Sequence, residues 1–164
     1  MLDEQFFGDQ KYHKYLTENF ISIHAYKNHP QAGEDLYAKL REKYPILGTP
    51  TVLVLDSNAD EIGRVLGYAG SADKYKKNLM DAYSPENSYM SLMKKHKKGS
   101  LDFDQTVTLS YKLGSYRLNE LRLELLTKLA KDPKSKTVKV PYGRRGAEVT
   151  VLEYAEENIK SLKK

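Results

Sequence analysis

The chain has 164 residues, 40% hydrophobic and 30% charged, which suits one ordinary domain or two small ones. It contains no cysteine, so disulfides, Cys-ligated zinc, thiol nucleophiles and dithiol redox chemistry are all excluded for these residues. No apolar run approaches the roughly 18–20 residues a membrane-spanning helix needs. The net charge of +5 is unevenly spread: residues 1–82 hold 10 Lys/Arg against 12 Asp/Glu, a net of −2, and residues 83–164 hold 17 against 10, a net of +7. That change of sign places a boundary near Tyr83 and predicts two regions, 1–83 and 84–164.

Met1-Leu2-Asp3-Glu4-Gln5 is acidic, without the apolar run and small residues of a signal peptide. Asp9 can cap a helix from Gln10 to Leu16 that carries Tyr12, Tyr15 and Leu16 on one side. The β-branched and aromatic run Phe20–Tyr26 predicts a strand. A loop over Asn28-His29-Pro30-Gln31-Ala32-Gly33 follows. Leu36, Leu40 and Tyr44 then recur at helical spacing until Pro45 stops the helix. Val52–Asp56 is a buried-strand run, Ser57–Asp60 a turn, and Ile62–Leu66 a second strand, so these form an antiparallel hairpin. Ser71 can cap a helix with Tyr75, Leu79 and Tyr83 in line.

In the basic region, Ser84-Pro85 predicts a helix start, and Lys94-Lys95-His96-Lys97-Lys98-Gly99 closes that helix in keeping with its dipole. Asp102 caps the next helix, with Phe103, Val107 and Tyr111 aligned. Gly114-Ser115-Tyr116 makes a turn, and a long helix with Leu118, Leu121, Leu125 and Leu129 runs to the stop at Asp132-Pro133. Pro133–Gly146 reads as a polar, basic connection, and Ala147–Leu162 as a last helix.

Gly48-Thr49-Pro50-Thr51, the strand after it, the polar turn, Ile62-Gly63-Arg64-Val65-Leu66-Gly67-Tyr68 and the closing helix together resemble the C-terminal part of a thioredoxin-like domain. Asp9, Leu16 and Asn19-Phe20-Ile21-Ser22-Ile23 fit the same family, so the resemblance covers roughly residues 1–83. The helix–Gly-Ser-Tyr–helix–Asp-Pro pattern is similar to a single tetratricopeptide (TPR) hairpin, although Tyr116 lies 17 residues before Pro133, slightly long for that motif. Bacterial members of the family carry such tails. The expected fold class is therefore α/β (α+β): a partial thioredoxin-like sheet with flanking helices, plus an all-α TPR-like tail.

The resemblance implies a cis bond before Pro50. It also implies that Gly48, Thr49 and Pro50 contact an extended peptide or protein partner. In the family a strand and a Cys-x-x-Cys motif precede the segment that begins here at Met1, so the expectation is an N-terminally truncated domain. It would be either a fragment of a thiol–disulfide oxidoreductase or a redox-inactive binding module. An upstream segment would point to the bacterial periplasm or an exported protein. The missing strand belongs between Phe20–Tyr26 and Thr51–Asp56. Those two must then pair with each other, pair with another chain, or leave open edges. Marginal stability of the first region and self-association through strand edges are the expected consequences.

Other chemistry finds little support. His13, His24, His29 and His96 lack a second ligand at metal spacing, so no metal and no cofactor is expected. Glu34-Asp35 and Glu156-Glu157 diverge around their helices and read as solvated pairs rather than catalytic dyads. Arg144-Arg145 between glycines reads as a turn, and Tyr37, Tyr44, Tyr75 and Tyr83 as packing residues. The alternative function is a basic tail that binds nucleic acid or an acidic protein. No catalytic residue and no membrane partner is expected.

Overall fold

The computed structural model of the chain describes residues 2–25, 33–68, 70–143 and 146–164. These divide into two compact units, Met1–Tyr83 and Ser84–Lys164. The order in the first is a π-helical turn (Asp3–Phe7), α1 (Gln10–Asn19), α2 (Gly33–Lys43), β1 (Thr51–Leu55), β2 (Glu61–Leu66) and α3 (Ala72–Ala82).

Local chemistry sets most of these limits. The Asp9 carboxylate accepts from the Lys11 N–H at 2.8 Å and starts α1, and Ser71 Oγ does the same for Lys74 at the head of α3. Asp56 accepts from the N–H groups of Asn58 and Asp60, each at 2.9 Å, which closes the turn between β1 and β2. The two strands form an antiparallel ladder that pairs Val52 with Val65 and Val54 with Gly63. Val54 and Val65 lie on one face and bury against Tyr75 and Leu79, together with Phe6, Tyr12 and Leu16. Phe6 and Tyr75 are fully buried with ring centroids 5.0 Å apart, edge to face. Gly63 is required where it stands: a Cβ there would lie 2.2 Å from the Ala82 carbonyl oxygen, so only glycine lets α3 pack this closely.

The strand expected over Phe20–Tyr26 is corrected. Its described part, residues 20–25, joins no sheet, and the first unit's sheet consists of β1 and β2 alone among the described residues. The reason lies in the ladder. Strand propensity fixes an extended shape, but a ladder needs a neighbouring strand, and among the described residues no strand lies in a sheet with residues 20–25. Ile21 and Ile23 are left 95% and 72% exposed. Tyr26, the loop with His29, and Arg144-Arg145 lie outside the described residues.

The second unit runs α4 (Tyr89–Lys97), α5 (Phe103–Leu113), a 3-10 turn at Gly114–Tyr116, α6 (Asn119–Lys131), a second 3-10 turn at Pro133–Lys136, β3 (Lys139–Tyr142), β4 (Ala147–Thr150) and α7 (Val151–Leu162). Helix α4 begins four residues later than Pro85: Ser84 caps only a turn, and Ser88 Oγ accepts from the Ser91 N–H at the true start. Leu126, Leu129, Val151, Tyr154 and Ala155 form one buried cluster, and Leu92, Leu109, Leu113 and Leu125 another.

The tail is not all helical. The segment expected as a connection and as the first turn of the last helix forms a β-hairpin, β3 against β4, with Val140 opposite Val149. Val138, Val140 and Tyr142 alternate, and all three pack on the Tyr154 cluster. Gly143 and Gly146 supply the positive φ values, 73° and 65°, that a tight reversal needs. Thr150 then caps α7 in a capping box with Glu153.

Candidate functional site

The first unit contains an apolar cavity of about 470 Å³. Its wall has three parts: β1 with the preceding Thr49 and Pro50, one side of α2 through Leu36 and Leu40, and the extended residues 20–25. None of its lining residues is an Asp, Glu, Lys or Arg, although such residues make up 30% of the chain. The volume falls in the range usual for ligand clefts, and the lining is of the usual apolar kind.

The register of β1 decides what its backbone offers to this cavity. Gly67 N–H donates to the Pro50 carbonyl at 2.8 Å, and Asp56 N–H donates to Asp60 at 2.9 Å. Residues of even number, from Pro50 to Asp56, therefore form the hydrogen-bonded pairs with β2. In an antiparallel ladder the alternate residues turn their N–H and C=O the other way. Thr51, Leu53 and Leu55 thus present main-chain donors and acceptors along an edge that no described strand covers. With Val54 in the core, side-chain alternation sends Leu53 and Leu55 to the opposite face of the hairpin, and both line the cavity with Leu36 and Leu40.

Gly48, Thr49 and Pro50 are all exposed at one end of this edge. The Thr49–Pro50 peptide bond is cis. Thr51 Oγ1 donates to the Gly48 carbonyl at 2.5 Å and holds the loop against the strand. A Cβ added at Gly48 would meet nothing within 4 Å, so the fold itself leaves that space open. Reading the sequence did not bring out the rest of the wall. Leu2, Phe7, Ile46, and Ile21 with Ile23 come together only in three dimensions, and no spacing rule joins them.

The groups with perturbed acidity lie away from this cavity and serve packing. The Asp73 carboxylate accepts from the Tyr12 hydroxyl at 2.7 Å and from Lys11 Nζ at 3.0 Å, which ties α1 to α3. Those bonds, Tyr12 first, hold the Asp73 carboxyl below its usual range. Burial drives the Tyr75 hydroxyl well above its ordinary value. In the second unit burial pushes Tyr111 up to about 12.

The other candidates remain separate. His13 is exposed on α1, His24 is exposed with its ring 5.5 Å from Phe7, and His96 lies in the last turn of α4. His24 therefore stands on an extended segment outside any described sheet rather than on the strand expected for it. Among the described residues no group of three or more His, Asp or Glu is placed to hold a metal ion. Glu156 and Glu157 are exposed, while the side chains of Glu34 and Asp35 lie outside the described residues. Tyr44 and Tyr75 are buried, and Tyr37 and Tyr83 half-buried. No described helix is long and apolar enough to cross a membrane.

Residues 1–83 match a family model described as a thioredoxin-like domain. No curated protein and no solved structure is matched by the chain.

Proposed function

The chain belongs to the thioredoxin-like domain family, and from that premise we propose that residues 1–83 serve as a non-catalytic module that binds an extended peptide or protein segment beside Gly48, Thr49 and Pro50. One observation carries the reading: exposed Thr49 and Pro50, next to exposed Gly48, line an apolar cavity along a strand edge that no described strand covers. Edges of this kind bind extended chain through main-chain hydrogen bonds, with side-chain pockets adding selectivity. Redox turnover is not part of the proposal, because a chain without cysteine has no thiolate to attack a disulfide. In the second unit, the α5–α6 pair with its turn at Gly114–Tyr116 and the stop at Asp132-Pro133 supports a TPR-like reading of that hairpin.

The test is titration of a labelled peptide library against the full chain and its Thr49→Arg variant. Thr49 is exposed, so the variant should keep the melting temperature of the parent, yet its long charged side chain should weaken binding by about tenfold or more. Equal binding by both proteins, or no binding by either, would retire the proposal. Reduction of insulin disulfides by the purified chain would also overturn it.

A further inference from the structure

The second unit carries its charge unevenly, and the asymmetry belongs to the fold rather than to one stretch of sequence. We propose that the end of this unit where α4 and α6 finish binds the phosphate backbone of a double-stranded nucleic acid, without regard to base sequence. This surface belongs to the other unit from the peptide-binding edge, so either reading can fail without the other.

Three separate segments meet at that end. Helix α4 finishes on Lys94, Lys95 and Lys97, with Lys98 as its C-cap. Helix α6 finishes on Lys128 and Lys131, and the 3-10 turn after it adds Lys134 and Lys136. The start of α5 joins them. Gly99, with a φ of 66°, turns the chain out of α4, and Leu101 packs with Leu92 and Leu109. Lys128 and Asp132 share a small cleft with Asp102 and Phe103, and Lys134 Nζ lies 6.0 Å from the centre of the Phe103 ring. Neighbouring helix axes pack ~8–10 Å apart, so the lysines fall on a face about 20 Å across.

Eight lysines stand there against three carboxylates, Asp102, Asp104 and Asp132, which puts +5 of the unit's net +7 on this end. Seven of the eight are exposed and Lys95 is half-buried. Among the described residues none of them forms an ion pair. Asp102 and Asp132 each commit a carboxylate oxygen to a backbone N–H, of Gln105 at 2.8 Å and of Lys134 at 2.9 Å. Lys139, beside this end, is offset by Glu153. The helix dipole accounts for only part of the excess. A helix C-terminus carries about half a negative charge, which one lysine answers, whereas α4 gathers four within five residues.

The chemistry of the patch narrows the occupant. Its cations are lysines, point charges that suit a dense row of phosphates, and not arginines, whose planar fork reads guanine edges. Gln105 closes the capping box with Asp102 and is not free to read a base. Single strands are held by bases stacked on exposed rings, and Phe103 is half-buried. Leu118, the large hydrophobic left exposed among the described residues of this unit, heads α6 at the opposite end, away from any lipid surface this patch could meet. An acidic peptide offers charges without fixed spacing and must be ordered on binding. A duplex is rigid and presents one negative charge per ~1.7 Å of axis, so ~20 Å of it offers about a dozen phosphates, roughly half of them facing the protein. Eight lysines are enough to meet those.

Fluorescence anisotropy tests this with the full chain and a labelled duplex of about 20 base pairs, between about 50 and 200 mM salt. The logarithm of the binding constant should fall against that of salt with a slope of about −4 to −7, as four to eight phosphates are neutralised. A duplex of scrambled sequence should bind equally. Lys94→Gln, Lys97→Gln, Lys128→Gln and Lys134→Gln combined should weaken binding at least about tenfold at low salt and flatten the slope by about 3. Lys160→Gln, Lys163→Gln and Lys164→Gln combined, at the end of α7, should leave affinity within about twofold. All seven side chains are exposed, so urea midpoints should match the parent. Should the first variant unfold early, Lys131→Gln with Lys136→Gln should show the same loss per lysine. No binding at low salt, equal loss in the two variants, or a tenfold preference between duplex sequences would overturn the proposal. Tighter binding of polyglutamate, of phosphatidylserine vesicles or of the single strand than of the duplex would overturn it too.

Discussion

Among the described residues, four of the five large hydrophobic side chains left exposed, Ile21, Ile23, Leu66 and Met80, belong to the first unit, and Leu118 to the second. The two units solve the same problem differently. A helix satisfies its own backbone, and the second unit adds a capping box at Asp102 for α5 and another at Thr150 for α7. Most of its leucines then pack into two buried clusters, and its own hairpin, β3 with β4, lays Val140 and Val149 on the Tyr154 cluster. A strand depends on neighbours that come from elsewhere in sequence, and among the described residues β1 has one neighbour where a central strand has two. The first unit makes up for this with an aromatic knot of Phe6, Tyr12 and Tyr75. The lesson is that the open backbone of the described sheet lies along one edge, while the face toward α3 is closed by Val54, Val65, Tyr75 and Leu79, all buried.

The largest test of that difference is at Glu61. Its carboxylate takes two bonds of 2.6 Å from Arg64, whose side chain is 1% exposed and which also donates to the Pro45 carbonyl. Removing one member of such a pair strands a buried charge, so Glu61→Ala should cost about 3–5 kcal/mol. Hydrogen exchange of the full chain gives the reading. Amides of β1, β2 and α3 should lose protection while Leu126 and Leu129 in α6 keep theirs. Equal loss in both units would mean that they do not fold as separate cores.

The sequence was most legible where structure is locally determined. Asp9, Ser71 and Asp102 cap the helices expected of them, because an N-cap is a contact between residues two or three apart. The β1–β2 hairpin was legible for a similar reason, with a short polar turn between two apolar runs. Phe20–Tyr26 was misread because strand propensity says nothing about whether a partner exists. The β3–β4 hairpin was missed because its residues are short, basic and interrupted by Pro141, a residue that an edge strand tolerates and a central strand does not. Of the candidate site, Gly48, Thr49 and Pro50 could be pointed to from a motif. The apolar wall facing them could not, since Leu2, Ile23 and Leu40 are brought together by the fold alone.

A medium effect is expected inside the second unit, at one of the polar points of its core. Arg122 donates to the Asn158 carbonyl oxygen at 2.7 Å and to the Ser110 carbonyl at 3.0 Å, and the Asn158 amide donates to the Tyr154 carbonyl at 2.7 Å. This network joins α5, α6 and α7. Asn158→Ala leaves a part-buried guanidinium N–H and a buried carbonyl without these partners, at a cost of about 2 kcal/mol. Urea unfolding followed by tyrosine fluorescence should show it, with the first unit's exchange pattern unchanged. A loss below a few tenths of that value would mean the helices are held by their leucines alone.

The smallest effect separates capping from packing at the head of α7. Thr150 Oγ1 accepts from the Glu153 N–H at 3.2 Å, while Glu153 accepts from the Thr150 N–H at 2.8 Å and from its hydroxyl at 2.9 Å. Thr150→Ala should therefore cost about 1 kcal/mol at neutral pH. The pH dependence follows from the carboxylate. The backbone bond from Thr150 first, and its hydroxyl second, hold the Glu153 carboxyl below its ordinary value. A group whose folded value is depressed contributes stability above its unfolded value and loses it as pH falls through the folded one. The parent should lose this contribution on acidification. Thr150→Ala, which keeps the backbone bond, should lose a smaller share, and Glu153→Gln should show none of this dependence. Chemical denaturation of the three proteins from neutral to acid pH reads the ranking directly. An unchanged slope in Glu153→Gln would show that the acid sensitivity of the second unit arises elsewhere than at this cap.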